Sequence, residues 1–167
     1  MRWLILAVLG LTLAGCAGYK LGPTNGMTAG SRSVAINAFL NRTHEPRVSD
    51  YLAASMRRLL QQDGTFRLET AEGADILMTG EILRFDRTGL SFQTNDVLTP
   101  QEYTLTLVAH VVAKSAHSGK VELDRNIQGR TYIRLGADQS SAERQAIPML
   151  TDDLARNAIS LLADGAW

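Results

Sequence analysis

The chain has 167 residues and balances 17 Lys and Arg against 17 Asp and Glu. Without a net charge there is no global field to gather nucleic acid or an anionic membrane, so any anionic ligand has to be held by a local cluster of Lys and Arg. The length suits one domain, at about 100 to 200 residues each, and no apolar run reaches the roughly 20 residues that cross a bilayer as a helix.

Arg2 supplies a positive start, Leu4 to Leu13 a short apolar stretch, and Leu13-Ala14-Gly15-Cys16 closes it. This is the layout of a signal segment ending in a bacterial lipobox, so residues 1–15 are expected to be removed. Small residues before a cysteine suit a peptidase that cuts ahead of Cys16 once its thiol carries a diacylglyceryl group. The freed amine then takes a further acyl chain, such as palmitate. One chain binds a membrane marginally, at about 0.8 kcal/mol per buried methylene, whereas two or more hold firmly. Cys16 is the only cysteine, and lipidation accounts for a thiol that would otherwise be unpaired in an oxidising compartment. Ala17 stands where Asp would signal retention in the inner membrane, which favours the outer membrane by sorting convention. Without Arg2 the chain keeps 16 basic residues against 17 acidic, a net charge of −1.

Residues 16–32, rich in Gly and Thr with Pro23 and Asn25-Gly26, read as a lipidated tether, and 33–167 as a single domain. Ser33 to Phe39 alternates as a half-buried strand, and Asn41 to Pro46 is a loop. From Pro46 to Gln62, Val48, Leu52, Met56 and Leu59 recur at helical spacing, with Tyr51, Ser55 and Leu60 widening the stripe. Pro46 suits a first-turn position and Asp63-Gly64 a helix stop. Thr65 to Thr70 is a short strand, with Phe66 and Leu68 on one face. Ile76 to Asp86 is another, in which Gly80 marks a bulge or a close backbone neighbour.

Leu90 to Pro100 reads as an excursion at one end of the sheet. Glu102 to Lys114 alternates most plainly, with Tyr103, Leu105, Leu107, Ala109 and Val111 on one face. Val121 to Arg134 follows across a three-residue turn, His117-Ser118-Gly119. Pairing Ala116 with Lys120 sets Ala113 opposite Leu123, Ala109 opposite Ile127 and Tyr103 opposite Ile133, so the apolar faces agree. Ser140 to Ala163 is the second helix, opened by the capping-box pattern of Ser140 and Glu143. Its stripe is Ile147, Leu150, Leu154, Ala158 and Leu161, and Pro148 should kink it or mark where its regular part begins. The order predicts an α/β (α+β) two-layer sandwich, a mixed β-sheet with two helices packed on one face.

No arrangement for catalysis stands out. His44, His110 and His117 fall in a loop, on a strand and in a turn, without metal-ligand spacing, and no phosphate-binding glycine motif or hydrolase elbow occurs. The reading is a chain that is not an enzyme, with no catalytic residue, no metal and no cofactor. Glu143, Asp152 and Asp153 most simply serve a helix start and a solvated face, and Asn41-Arg42-Thr43 serves turn chemistry. Lys114 and Lys120 flank the hairpin turn, while Arg130 and Arg134 share a strand face. These four are the candidates for binding phosphate, against the plainer roles of solubility and edge protection. Thr104, Thr106 and His110, beside Val108 and Val112, make a mixed face that could meet a partner.

Several motifs recur in a characteristic order: Cys16 with Gly18-Tyr19-Lys20-Leu21, Ser33-Val34-Ala35-Ile36 running to Phe39, and Asn41-Arg42-Thr43-His44-Glu45-Pro46. Ala74-Asp75-Ile76, Gly80-Glu81, Tyr103-Thr104-Leu105-Thr106-Leu107, Ser118-Gly119, Ala142 to Pro148 and Asp153-Leu154-Ala155 follow. With these, the chain resembles the LPS-assembly lipoprotein family LptE over nearly all of the mature length. The resemblance implies a non-enzymatic outer-membrane lipoprotein, anchored at Cys16 and lying on the periplasmic side or inside a partner barrel. Its implied partners are the LPS-assembly outer-membrane β-barrel protein, which it plugs and helps to fold, and lipopolysaccharide itself; nucleic acid is not among them. Some relatives carry a basic residue ahead of the strand near Tyr103, whereas Phe92 to Asp96 here has none. The alternative is a periplasm-facing lipoprotein regulator, such as a penicillin-binding-protein activator or a secretion accessory protein. A pore-forming secretion protein would need long alternating hairpins, for which the chain is expected to lack room.

Overall fold

Alternating residues along three long strands create a sheet with one dry face, and two amphipathic helices supply its cover. The computed structural model describes residues 28–93, 96–134 and 139–165, with the side chains of 91–101 and 139 outside that description. In chain order the elements are β1 (Arg32–Ile36), β2 (Leu40–Asn41), α1 (Val48–Asp63), β3 (Phe66–Leu68), β4 (Ile76–Gln93), β5 (Asp96–Ser115), β6 (Val121–Arg134) and α2 (Gln139–Asp164). The sheet runs β3-β1-β4-β5-β6, with β2 also on β4. β1 is parallel to β3 and β4, and β2 is parallel to β4, whereas β4, β5 and β6 are antiparallel. This is the expected α+β sandwich with a mixed sheet. Leu52 and Met56 of α1 share one core with Leu150 and Leu154 of α2 and with Val34, Ile76, Leu105 and Leu123 of the sheet. No helix among the described residues is long and apolar enough to cross a membrane.

Several boundaries differ from expectation. The first strand stops at Ile36, Asn37 N–H turns to the Met78 carbonyl (3.0 Å), and pairing resumes only at Leu40–Asn41. The first helix starts at Val48, because Arg47 takes the left-handed conformation (φ 63°) ahead of it and leaves Pro46 outside the helix. Gly64 ends that helix as expected, left-handed at φ 73° and donating to the Leu60 carbonyl. The second helix begins at Gln139 and runs on through Pro148, so its regular part does not begin at the proline.

Leu90 to Pro100 is not an excursion. β4 continues to Gln93 and β5 begins at Asp96, so both strands run on past the expected ends at Asp86 and Glu102. Register shifts between Gly89 and Gln93 break the alternation that would have revealed them. The expectation that the chain lacks room for a long alternating hairpin is overturned with it. These strands have 18 and 20 residues, against roughly 10 for a strand that crosses a bilayer.

The β5–β6 register is the predicted one over most of its length, with Ala113 facing Leu123, Ala109 facing Ile127 and Tyr103 facing Ile133. Near the turn it slips. Lys114 faces Val121 and Ser115 N–H donates to the Lys120 carbonyl (2.9 Å), so the loop is Ala116 to Gly119, one residue longer than expected. The slip turns Glu122 inward, where it is buried against the Arg32 guanidinium. Gly119 is left-handed at φ 68°, as the turn requires.

Two glycines admit close neighbours. A side chain on Gly80 would strike the Phe39 ring and the His110 carbonyl, so the glycine marks a close neighbour, and the irregularity falls instead between Ile82 and Arg84. A Cβ on Gly129 would lie 2.5 Å from the Leu150 carbonyl oxygen and 2.6 Å from the Leu154 nitrogen, so α2 rests its backbone directly on β6. Asp153 Oδ2 there accepts from the Arg130 N–H, and Asn157 Nδ2 donates to the Gln128 carbonyl, each at 2.9 Å. The helices meet through a buried pair of hydroxyls. Thr151 Oγ1 donates to the Pro148 carbonyl (3.0 Å), which leaves Ser55 as the donor in their 3.1 Å contact.

Candidate functional site

The alternation of β5 sends Leu105, Leu107, Ala109, Val111 and Ala113 fully into the core and leaves Thr104, Thr106, Val108, His110 and Val112 half-buried on the open face. Several polar groups on that face are paired locally, although among the described residues Arg130 and Lys114 have no acidic partner there. His110 Nε2 lies 2.7 Å from Asp124 Oδ1, Arg84 2.6 Å from Asp86, and Arg134 2.8 Å from Glu102. Exposed pairs of this kind stabilise by at most about 1 kcal/mol each. What they do is make the face a mosaic of donors and acceptors, with Tyr132 standing 71% exposed at its β6 side.

A concavity of about 460 Å³ lies where the Asn41 to Pro46 loop meets β4, lined by Arg42, Thr43, His44, Leu83, Phe85 and Arg87 among others. The loop is held by its own side chains. Asn41 Oδ1 accepts from the Thr43 N–H (2.9 Å) and Oγ1 (2.8 Å), and Asn41 Nδ2 donates to the Glu45 carbonyl (2.8 Å), which is the turn chemistry expected of these residues. Arg87 closes the concavity from the sheet. It donates to Glu143 at the start of α2 (2.9 Å) and to Glu45 (3.0 Å), and its guanidinium lies 4.7 Å from the centre of the Phe85 ring. The Glu143 hydrogen bond, ahead of any other influence, raises the Arg87 pKa further above its ordinary value. With carboxylates already holding it, this arginine clasps loop, sheet and helix together.

The acids assigned to a helix start and a solvated face thus have definite partners: Glu143 takes Arg87, Asp152 pairs with Arg58, and Asp153 accepts from the β6 backbone. Sequence offered no signal for these contacts, because each joins residues far apart in the chain. Among the described residues no group of three His, Cys, Asp or Glu is placed to hold a metal.

The four basic candidates separate into two pairs. Lys114 and Lys120 sit at the β5–β6 turn, both exposed. Arg130 and Arg134 lie toward the other end of β6, where Arg134 faces Glu102 across the ladder. Thirteen residues separate Val121 from Arg134, roughly 40 Å of strand, so no single phosphate group reaches both pairs. Arg130 touches Gln128 Oε1 (3.4 Å). Cys16 lies outside the described residues.

A family model described as lipopolysaccharide-assembly, LptE, matches residues 31–162. No curated protein matches the sequence. Among solved structures, a hypothetical protein from Chlamydia trachomatis is similar at a TM-score of 0.57 and 11% identity, over 81% of this chain and 98% of that one. A protein from Xanthomonas campestris gives a TM-score of 0.57 at 12% identity, over 86% and 91%. A minor lipoprotein from Acinetobacter baumannii gives 0.53 at 14%, over 79% and 92%. At such identities the likeness establishes the fold alone.

Proposed function

The chain belongs to the lipopolysaccharide-assembly family LptE, and from that premise we propose that it is an outer-membrane lipoprotein, anchored through Cys16, that plugs and helps to assemble the LPS-assembly β-barrel. Its family is one of LPS-assembly lipoproteins, not of catalysts. The observation that carries the plug reading is the open sheet face. A mosaic of half-buried Thr, Val and His side chains with cross-strand polar pairs suits the polar interior of a transmembrane barrel better than it suits lipid.

LPS presents phosphates, and Arg130 and Arg134 are proposed as their contacts near the β4–β5 end of the sheet. Lys114 and Lys120 offer the same phosphate chemistry at the opposite end. If replacing all four by Ala left LPS binding and its salt dependence unchanged, this assignment would be wrong even with the plug intact.

A photo-crosslinker at Thr106, on the open face, should capture the barrel protein. One at Arg58, on the helix layer, should do so much less. Capture of a peptidoglycan synthase from Thr106, with no barrel product, would transfer the function to the regulator reading.

A further inference from the structure

The described chain begins at one end of the sheet, and that end is also the end of the β5–β6 turn. Gly30 N–H bonds the Thr65 carbonyl (3.0 Å) and Arg32 opens β1. Ser33 donates to Asp75 through both its N–H and its Oγ (2.8 Å each), and the Asp75 carbonyl accepts from Ala116 N–H of the turn (2.8 Å). Cys16 stands twelve residues ahead of Thr28, a reach of about 40 Å at full extension. The far tip of the β4–β5 hairpin lies nineteen residues along β5 from Ser115, roughly 60 Å away at the strand rise. A tether of that length lets the turn reach the surface that holds the acyl chains, whereas the tip stays at least roughly 20 Å from the anchor.

The charges at this end have an unusual composition. The sequence holds three lysines, Lys20, Lys114 and Lys120, against fourteen arginines. Lys20 follows the anchor cysteine by four residues, and the other two bracket the turn. Some arginines elsewhere form planar hydrogen bonds with carboxylates, as Arg87 and Arg134 do, whereas Lys114 and Lys120 have no ion-pair partner among the described residues. The neighbouring charges are already engaged: Glu122 by Arg32, and Asp75 by Ser33. Arg67 and Glu72, on β3 and in the connection after it, carry opposite signs. Val121, 42% exposed beside Lys120, adds an apolar contact. Compact ammonium groups on flexible stems beside an exposed aliphatic side chain suit a bilayer surface.

We propose that the β5–β6 turn rests on the phosphate headgroups of the leaflet that holds the chain's own anchor, with Lys114 and Lys120 as its ionic contacts. This rests on the lipidation of Cys16. The domain then stands with its strands leading away from the headgroup plane, and the β4–β5 tip is the end presented at a distance from it.

The test uses the lipidated mature protein reconstituted in vesicles of phosphatidylethanolamine with a minority of phosphatidylglycerol. With Cys16 acylated, Ser118→Cys and, in a separate protein, Leu90→Cys each provide one free thiol for a fluorophore, read against a quencher carried on the headgroups. Ser118 should be quenched and Leu90 should not. Lys114→Ala with Lys120→Ala should weaken the contact roughly 30-fold, at about a tenfold per 1.4 kcal/mol and near 1 kcal/mol per lysine, while Lys→Arg at both sites retains it. Mass spectrometry of the same sample reads the acyl chains. An acylated protein whose Ser118 label escapes quenching overturns this proposal and leaves the anchor standing. Absence of acyl chains overturns both. Quenching that appears only when the vesicles also carry LPS makes the turn an LPS contact and ends the leaflet assignment.

Discussion

The parallel half of the sheet, β3, β1 and β2 under α1, and the antiparallel half, β5 and β6 under α2, reach the same dry core by different means. In the antiparallel half a local turn joins long neighbours, and α2 lies directly on the Gly129 backbone. In the parallel half β2 and β3 have only two and three residues, every neighbour is distant in sequence, and the space over Gly80 is shared by the Phe39 ring and the His110 carbonyl. Backbone-on-backbone packing leaves nothing that can yield. At Gly80 the carbonyl is equally fixed, but the Phe39 share of the contact can be trimmed.

The largest effects should come from the residues that hold each helix down. Leu52→Ala in α1 and Leu154→Ala in α2 each remove a fully buried side chain and should each cost about 2 to 5 kcal/mol in chemical denaturation. A loss below about 0.5 kcal/mol at either site, the scale of a surface change, would contradict the burial of that helix. Next come the glycines. Gly129→Ala and Gly80→Ala should each cost about 1 to 3 kcal/mol by overpacking. The comparison sharpens when Phe39→Leu is added: it should recover part of the Gly80→Ala loss and none of the Gly129→Ala loss. Equal recovery at both would show that the halves do not differ as described.

Smaller effects follow at the junctions. Thr151→Val deprives the buried Ser55 hydroxyl of its acceptor between the helices and should cost about 1 kcal/mol, with a double-mutant cycle at Ser55 measuring the coupling. The smallest is a dependence on pH. The Ser33 N–H and Oγ–H hold the Asp75 carboxyl below the usual carboxylate range. A carboxylate lowered in the fold contributes stability above its unfolded pKa and loses it as pH falls through the folded value. Ser33→Ala should therefore be less stable than the parent at neutral pH, with the gap closing as the medium is acidified below about pH 4.

The same contrast explains what could be read beforehand. Ala113, Ala109 and Tyr103 found their partners on β6 from alternation alone, because a short turn leaves few registers and only one of them matches the apolar faces. Nothing local tells β1 that it lies between β3 and β4, or that Leu40 and Asn41 pair again with β4. The extension of β4 and β5 beyond Asp86 and Glu102 was hidden by register shifts that erase the period of two. Of the candidate site, the mixed face followed from the phase of β5. The clasp of Arg87 on Glu45 and Glu143 did not, since ion pairs across forty or more positions leave no trace in spacing.

β6 is the last strand of the sheet, and two of its outward-facing backbone groups are already taken, the Arg130 N–H by Asp153 and the Gln128 carbonyl by Asn157. Those are groups that an invading strand would need for its own ladder. An intruder would have to evict both side chains before it could register, so stacking of like chains into a growing fibre is checked midway along the edge. The guard belongs to the same helix that seals the core. Solubility and folding are thereby coupled, and the edge is open to polymerisation only for as long as α2 has yet to dock.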